Sequence, residues 1–357
     1  MNKVEYVIFT EGDSNSIDTW SNVPYFFSRT LENLGTVVHR VDISFWKNAN
    51  IIEKLIGWIY KIFFKIFHKL NKNNKTYNFN RTRFYNRIIN KKIKQSFDKY
   101  KDANFISMNF SHIGGKYAQK YNTIMFCDWS IKYLIECQQK RTPGFFENKA
   151  IKRQEKEMLQ AKYVVTLFPG VKKYMQNEIK RDILYLGNVI NSEIIEFEGT
   201  NVIEKKYNSN RYLFIGRKRY LKSIEKLIMA VAKYKFDIKI DVIGLNVEDS
   251  KFLEEKFVKC YGYLSKKNKE QNKLYYETIF NAKAVINVTE EWNGMSSLIE
   301  AMYYETPVII VPNENTIDTF GNKCDFGYYL KNSSNEEIKK AMEYIDKCEL
   351  KEYEKMC

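Results

Sequence analysis

AKAVINVTEEWNGMSSLIEAMYYETPVIIVP, residues 282–312, reads as strand, polar turn, helix and strand in immediate succession. The run AKAVINV (282–288) is apolar without alternation, as a strand buried on both faces is. A loop holding Gly294 follows, a helix begins near Ser296, and PVIIVP (307–312) forms the next apolar run. Two buried strands joined by a helix make a parallel βαβ unit. The same alternation extends upstream through RYLFIG (211–216), IKIDVIG (238–244) and VKCYGYL (258–264). Before it lies a first series: VEYVIF (4–9), VVHRVDI (37–43), NFISMNF (104–110), NTIMFCD (122–128), YVVTLF (163–168) and ILYLGN (183–188).

Two such series predict an α/β chain with two Rossmann-like domains built on parallel sheets. The expected boundaries are 1–187 for the first domain, 188–210 for a polar linker, 211–335 for the second domain and 336–357 for a terminal helix. A ligand is expected at the carboxyl ends of the strands, in a cleft between the domains.

The chain has 357 residues, 44% of them apolar, which suits two cores better than one. Its six cysteines are scattered without CxxC spacing, and it has only three histidines, so a reducing compartment and no metal site are expected. MNKVEYVIFTEGD enters a strand directly, without the pattern of a signal peptide. No apolar stretch has the length and lack of charge of a membrane span. A cytoplasmic protein is the expectation.

FIGRKRYLKS (214–223) is the first stretch that carries chemistry. A strand ends at Gly216, Arg217 follows, and Lys222 opens the helix SIEKLIMAVAKY. A planar guanidinium, an ammonium and a helix N-terminus together suit a diphosphate, although a basic surface turn has the same residues. In the opening stretch, backbone N–H groups around Gly294, Met295 and Ser296 suit an anion. Glu300 has two acceptor oxygens for the two hydroxyls of a ribose, and Glu291 or its neighbour Glu290 can hold sugar hydroxyls. Ser297-Leu-Ile-Glu300 also fits a capping box, which on spacing alone explains Glu300 economically.

Gly216-Arg217…Lys222 with Glu291…Glu300-Ala301-Met302…Thr306-Pro307-Val308-Ile309 resembles the donor-site signature of glycosyltransferase family 4. These are the retaining group 1 transferases of the GT-B fold. The likeness extends over most of the C-terminal half and thinly over the N-terminal half. It implies that Arg217 and Lys222 neutralise the departing nucleotide diphosphate in place of a metal, with no other cofactor. It implies ribose binding by Glu300, sugar binding by Glu291, and contacts from Asn293, Gly294, Met295 and Ser296 to the β-phosphate and sugar. Tyr261, Gly262, Tyr263 and Leu264 would line the base pocket largely through backbone. The family places seven residues between its two acids where this chain has eight, and it places Gly where this chain has Glu305, so a less tight helix end is expected.

In the N-terminal half, Asp128 ends a strand where the family often carries a His or Asp near sugar and acceptor; DWS before IKYLIE equally suggests a helix cap. His112, in NFSHIGG, is a second acceptor-side candidate or a loop residue. Gly12 stands where the family's phosphate-facing loop occurs.

Net charge is +15, and residues 54–97 hold twelve Lys and Arg with no Asp or Glu. Within this basic amphipathic segment, 51–97, Lys54, Lys61, Lys65, Lys69 and Lys72 follow one helical stripe among Ile, Leu, Phe, Trp and Tyr. Lys54, Trp58, Lys61, Phe64, Lys65 and Lys69 are expected to meet an anionic membrane surface, the alternative being a helix whose apolar side is buried in the protein. The expected function is transfer of a hexose or N-acetylhexosamine from a nucleotide sugar, UDP- before GDP-, to a glycan or lipid-linked glycan. The setting is bacterial surface-polysaccharide synthesis, capsule or lipopolysaccharide, with the enzyme held peripherally at the inner face of the cell membrane. The rivals are a nucleotide-sugar epimerase on the same fold and a basic nucleic-acid binder through TYNFNRTRFYNRIINKK; no nucleic-acid module accompanies the latter, so no nucleic acid is expected.

Overall fold

A computed structural model describes residues 3–192, 195–197, 201–290 and 295–357. It divides into two units, Met1–Gly187 and Asn188–Cys357. The first holds a six-stranded parallel sheet of β1 (Glu5–Thr10), β2 (Val37–Asp42), β3 (Asn104–Ser107), β4 (Thr123–Cys127), β5 (Tyr163–Thr166) and β6 (Leu184–Tyr185). The second holds another, of β7 (Arg211–Ile215), β8 (Lys239–Ile243), β9 (Val258–Gly262), β10 (Ala284–Asn287), β11 (Val308–Ile310) and β12 (Gly327–Tyr329). Each expected run became a strand, trimmed at its ends. β12 went unforeseen because GYY is too short to carry a pattern.

Strand order positions the candidate sites. The first sheet runs β2-β1-β3-β4-β5-β6 and the second β12-β11-β10-β7-β8-β9. The direction of winding therefore reverses between β1 and β3 in one unit and between β7 and β10 in the other. In open α/β sheets a ligand binds outside the carboxyl ends at such a reversal. The central strands are apolar because helices cover both faces: Val7, Ile8 and Phe9 in β1, and Tyr212, Leu213 and Phe214 in β7, are fully buried.

Two stretches differ from expectation. Residues 202–207, within the presumed linker, form a helix belonging to the second unit, and its Lys206 is buried. The single terminal helix is two, Asn335–Lys347 and Leu350–Met356, which send Ile338, Met342, Ile345 and Tyr353 into the core around β7, β8 and β10.

The helix Ile51–Leu70 opens with a capping box between Asn50 and Glu53, so the acid just before the basic run serves the helix start. One face, through Gly57, Phe64 and Phe67, packs inward, and Tyr60 stacks near Phe79 and Phe84. Phe64, expected among the membrane-facing residues, is therefore a core residue. A different apolar arc faces outward: Ile51, Leu55, Ile59, Ile62 and Ile66 recur at helical spacing and are each more than half exposed. Lys54, Lys61, Lys65 and Lys69 flank that arc, with Lys61 lying over the Trp46 and Trp58 rings at 4.2 and 4.7 Å. Among the described residues no helix is long and apolar enough to cross a membrane.

Candidate functional site

At the reversal point of the second sheet, Gly216 follows β7. Its N–H donates to the Ile243 carbonyl (3.0 Å), and the N–H of Gly244, which follows β8, donates to the Gly262 carbonyl (2.7 Å). Gly244 has a left-handed φ of +96°, and a Cβ there would lie 2.4 Å from the Gly216 carbonyl oxygen. Three glycines thus stand together at the carboxyl edge of β7, β8 and β9. Gly216 and Gly262 were expected in the site; Gly244 was not, because only the strand order sets it between them. The N–H of Gly262 donates to Leu245 (3.2 Å), so that part of the 261–264 backbone is committed within the unit. Leu264 is buried and Tyr263 exposed beside Tyr261.

After Gly216 comes a 3₁₀ turn, Lys218–Tyr220, and then the helix Leu221–Tyr234. The four cations of GRKRYLK separate by partner. Lys218 pairs with Asp249 at 2.7 Å, and Arg219 stacks on Tyr220 at 4.5 Å. Arg217 lies over the face of Tyr263 at 6.0 Å, and among the described residues neither it nor Lys222 makes a hydrogen bond or ion pair. Among the described residues Lys218 alone of the four pairs with a carboxylate, so the two cations assigned to a diphosphate have none, and neither has Arg219. Both are exposed at a helix start, where the dipole adds to their field.

Glu300 lies in the helix Ser296–Tyr303, next to the end of β10. The capping box does not form: the cap is Met295, with no side-chain hydrogen bond, and Ser297 is inside the helix. Glu300 is instead buried. Its Oε1 accepts from Lys266 and from the Tyr276 hydroxyl (3.3 Å), and its Oε2 accepts from the Tyr275 hydroxyl (2.7 Å). Lys266 also lies over both tyrosine rings, at 4.6 and 4.9 Å. Burial and the Glu300 charge push both phenols above their ordinary range. These three partners went unforeseen; YYETIF reads as a helix, and nothing in its spacing points at an acid twenty-four residues later.

Glu290 accepts from the Ser333 N–H (3.0 Å) and hydroxyl (2.5 Å), which hold its carboxyl below the usual range. It fastens the loop after β10 to the start of the helix Asn335–Lys347. Glu291, Asn293 and Gly294 lie outside the described residues. Met295 is buried and Ser296 exposed.

At the reversal point of the first sheet, Glu11 follows β1 and His112 follows β3. Glu11 Oε2 accepts from the Tyr85 hydroxyl (2.7 Å), and Oε1 stands 3.6 Å from His112 Nε2. His112 is buried, which pushes its pKa down to about 3 and keeps it neutral. The Asn86 amide donates to Nδ1 at 3.2 Å, which leaves the ring proton on Nε2, toward Glu11. Burial raises the Glu11 carboxyl, the Tyr85 bond opposing it. His112 is thus a buried member of a polar cluster in the loop after β3, and Glu11 and Tyr85 belong with it.

Asp128 follows β4. It is not the helix cap; Ser130 is, accepting from the Tyr133 N–H at 3.2 Å. Burial pushes the Asp128 carboxyl up to about 6, opposed by the Trp20 side chain. Gly12 has a φ of +124° and shapes the loop after β1, but its N–H donates to Asp42 at 3.1 Å and is not open to a ligand. Among the described residues no cluster of His, Cys, Asp and Glu fits a metal ion.

Residues 198–357 match the family model for glycosyl transferases group 1. No curated protein sequence matches the chain. A glycosyltransferase from Rickettsia africae is 14% identical, with a TM-score of 0.61 over 97% of this chain and 88% of that one. A TarM variant from S. aureus, in complex with Fondaparinux, alpha-GlcNAc-glycerol and UDP, is 15% identical with a TM-score of 0.54. That match covers 75% of this chain and 54% of TarM, so the chain spans about half of TarM's length. A putative UDP-N-acetylglucosamine 2-epimerase from Listeria monocytogenes is 11% identical, with a TM-score of 0.52 over 100% of this chain and 91% of that one. At these identities the likeness is one of fold, and the fold is GT-B.

Proposed function

We propose that the chain is a family 4-type glycosyltransferase, moving a hexose or N-acetylhexosamine from a nucleotide sugar to a glycan with retention of configuration. The observation that carries this is that Arg217 and Lys222, exposed at the reversal point of the second sheet, have no carboxylate partner among the described residues, in a stretch that matches the group 1 family model. Charge develops on the diphosphate as the glycosidic bond breaks, and two preplaced cations at a helix N-terminus stabilise it there. In this reading side chains supply the charge of the clamp, and no metal is needed. A UDP donor is preferred over a GDP donor.

Glu300 is the ribose acceptor in this reading, and its present partners say how. A carboxylate has about four acceptor positions, and Lys266, Tyr275 and Tyr276 use three. A ribose needs two, so Lys266 moves off when the donor binds while the tyrosines keep the carboxylate aimed. Glu290 is committed to Ser333, which leaves Glu291 as the sugar-side acid. Asp128 and His112 face the acceptor.

The acceptor is a lipid-linked glycan of bacterial surface-polysaccharide synthesis, and the helix Ile51–Leu70 seats the enzyme on the inner face of the cell membrane. An exposed apolar arc beside a lysine stripe is the arrangement of a helix lying in an anionic lipid interface. Flotation with anionic liposomes at low salt, lost at high salt, is expected; no flotation at low salt would end this part of the reading.

Thermal unfolding with a panel of UDP- and GDP-sugars tests the donor assignment. A cognate sugar at 100 times its Kd adds about 2.7 kcal/mol of stability. No shift with any nucleotide sugar would sink the reading. Conversion of the sugar with no acceptor present would replace it with an epimerase.

A further inference from the structure

We propose that Arg81 and Arg153 form a phosphoryl-binding recess in the first unit, beside the Glu11–His112 cluster. This deepens the glycosyltransferase reading and rests on it for the identity of the ligand: a phosphate or diphosphate carried by the acceptor.

The recess, with about 240 Å³ of space including its mouth, is lined by Arg81, Arg153, Asn80, Thr82, Ser111 and His112 among others. Arg81 ends the 3₁₀ turn Phe79–Arg81, Thr82 caps the helix Arg83–Lys99, and Arg153 projects from the helix Phe145–Met158. Three elements thus converge on two cations and a helix start.

What distinguishes these arginines is what they lack. Arg81 donates to the Thr76 carbonyl (2.7 Å) and Arg153 to the Arg81 carbonyl, and among the described residues neither pairs with a carboxylate. The nearby carboxylate felt by Arg81 is Glu147, which is already bidentate to Arg141, at 2.7 Å for both contacts. Burial lowers Arg81 to about 10 and also lowers Arg153, the mark of two cations partly withdrawn from water without a counterion.

A guanidinium has five N–H donors, so each arginine retains several. Ser111 adds a hydroxyl, whose oxygen accepts from Gln154 at 3.1 Å and whose proton stays available. Two forks and a hydroxyl around one opening suit a dianion with three or four oxygens better than a carboxylate with two. The position agrees with an acceptor. His112 lines the recess, and its Nε2 faces Glu11 across 3.6 Å at the sheet's reversal point. Phe79, two residues before Arg81, packs against Tyr60 on the inner face of the lysine-striped helix, at 5.5 Å between rings. A lipid-borne phosphoryl group would therefore meet the arginines while its lipid stays near the exposed apolar arc.

Inorganic pyrophosphate, titrated into the full chain with saturating UDP present, tests the recess. Wild type is expected to bind it, and Arg153→Gln to weaken binding roughly tenfold to a hundredfold, as loss of one charge-assisted bond does. Lys61→Gln/Lys65→Gln should keep pyrophosphate binding, which excludes the general basic surface. Asn80→Asp places a carboxylate at the exposed rim without touching the core and should weaken binding about tenfold. Displacement by pyrophosphate from phosphatidylcholine vesicles containing a polyprenyl phosphate identifies an acceptor-borne group. Pyrophosphate binding with no preference for those vesicles identifies a free phosphate, and both support the site. Unchanged pyrophosphate affinity in Arg153→Gln and Asn80→Asp, with UDP binding intact, would overturn it. Loss of UDP binding with Arg153-dependent pyrophosphate binding retained would leave the recess standing and remove the transferase reading instead.

Discussion

Both sheets present carboxylates at their reversal points, but the two units treat them in opposite ways. In the second unit Glu300 is buried with an ammonium and two phenols, so its charge is offset where it sits. In the first, Glu11 and Asp128 are partly exposed beside a phenol, a neutral imidazole and an indole, and both carboxyls are raised. A carboxylate paired in this way holds hydroxyls in one geometry. One whose carboxyl is raised holds its proton to higher pH than usual. Under the proposed function, the second unit's arrangement suits a held nucleotide and the first unit's suits a hydroxyl nucleophile.

The largest effects should come from the second unit, where two residues of one proposed site separate by what they do for the fold. Glu300→Ala leaves half-buried Lys266 and two buried tyrosines without their acceptor, at a cost of about 3–5 kcal/mol, read from urea unfolding. Lys222→Ala touches no partner, so stability should stay within about 0.5 kcal/mol while donor turnover falls about 10²–10³-fold. An unchanged unfolding midpoint in Glu300→Ala would refute the pairing. Normal turnover in Lys222→Ala would refute the clamp.

Asp128 tests the other side of the comparison. Its carboxyl moves from 3.8 to about 6 on folding, so between those values the folded chain binds more protons than the unfolded one. Stability must then fall as pH rises through that window. Asp128→Asn cannot ionise; it should remove this slope and stabilise the chain at pH 7 by on the order of 2 kcal/mol while lowering transfer to acceptor. Equal slopes in wild type and variant between pH 4 and 6 would clear Asp128 as the source.

The alternation of buried strands and helices was legible because apolar runs such as RYLFIG are long enough to show it. Arg217, Lys222 and Glu300 were singled out through their spacing in a resemblance. Which of the four cations pairs with a carboxylate was not legible, since Asp249 reaches Lys218 from the turn after the neighbouring strand β8. Nor was the company of Glu300, because Lys266 and Tyr275 come from a loop and helix on the far side of β10. The capping box was a sound local alternative that tertiary pairing overrode. The basic helix was legible as amphipathic, but three arcs rather than two decide its surface. Phe64 turned inward because the protein claims one apolar arc and leaves another exposed.

Glu305 offers the finest test of how the second unit compensates locally unfavourable residues. The helix Ser296–Tyr303 ends with Thr306 N–H donating to Ala301 (3.0 Å) and Glu305 N–H donating to Met302 (3.1 Å), a complete Schellman motif. Its left-handed position is Glu305, at φ +52°, where glycine would be unstrained. The expected looser helix end is therefore absent; the chain keeps the tight turn and bears the strain. Buried Lys206 offsets it, donating to the Tyr304 carbonyl, the Glu305 carbonyl (2.9 Å) and the Thr306 hydroxyl (2.9 Å). A left-handed side chain costs about 1 kcal/mol, partly recovered here by attraction to Lys206, so Glu305→Gly should stabilise by about 0.5 kcal/mol. That is a rise of about 1–2 °C in Tm. Lys206→Met should destabilise wild type and the Glu305→Gly chain alike, since its acceptors are mostly backbone. If Glu305→Gly destabilises instead, the carboxylate's hold on Lys206 outweighs the strain, and the acid is there for its charge.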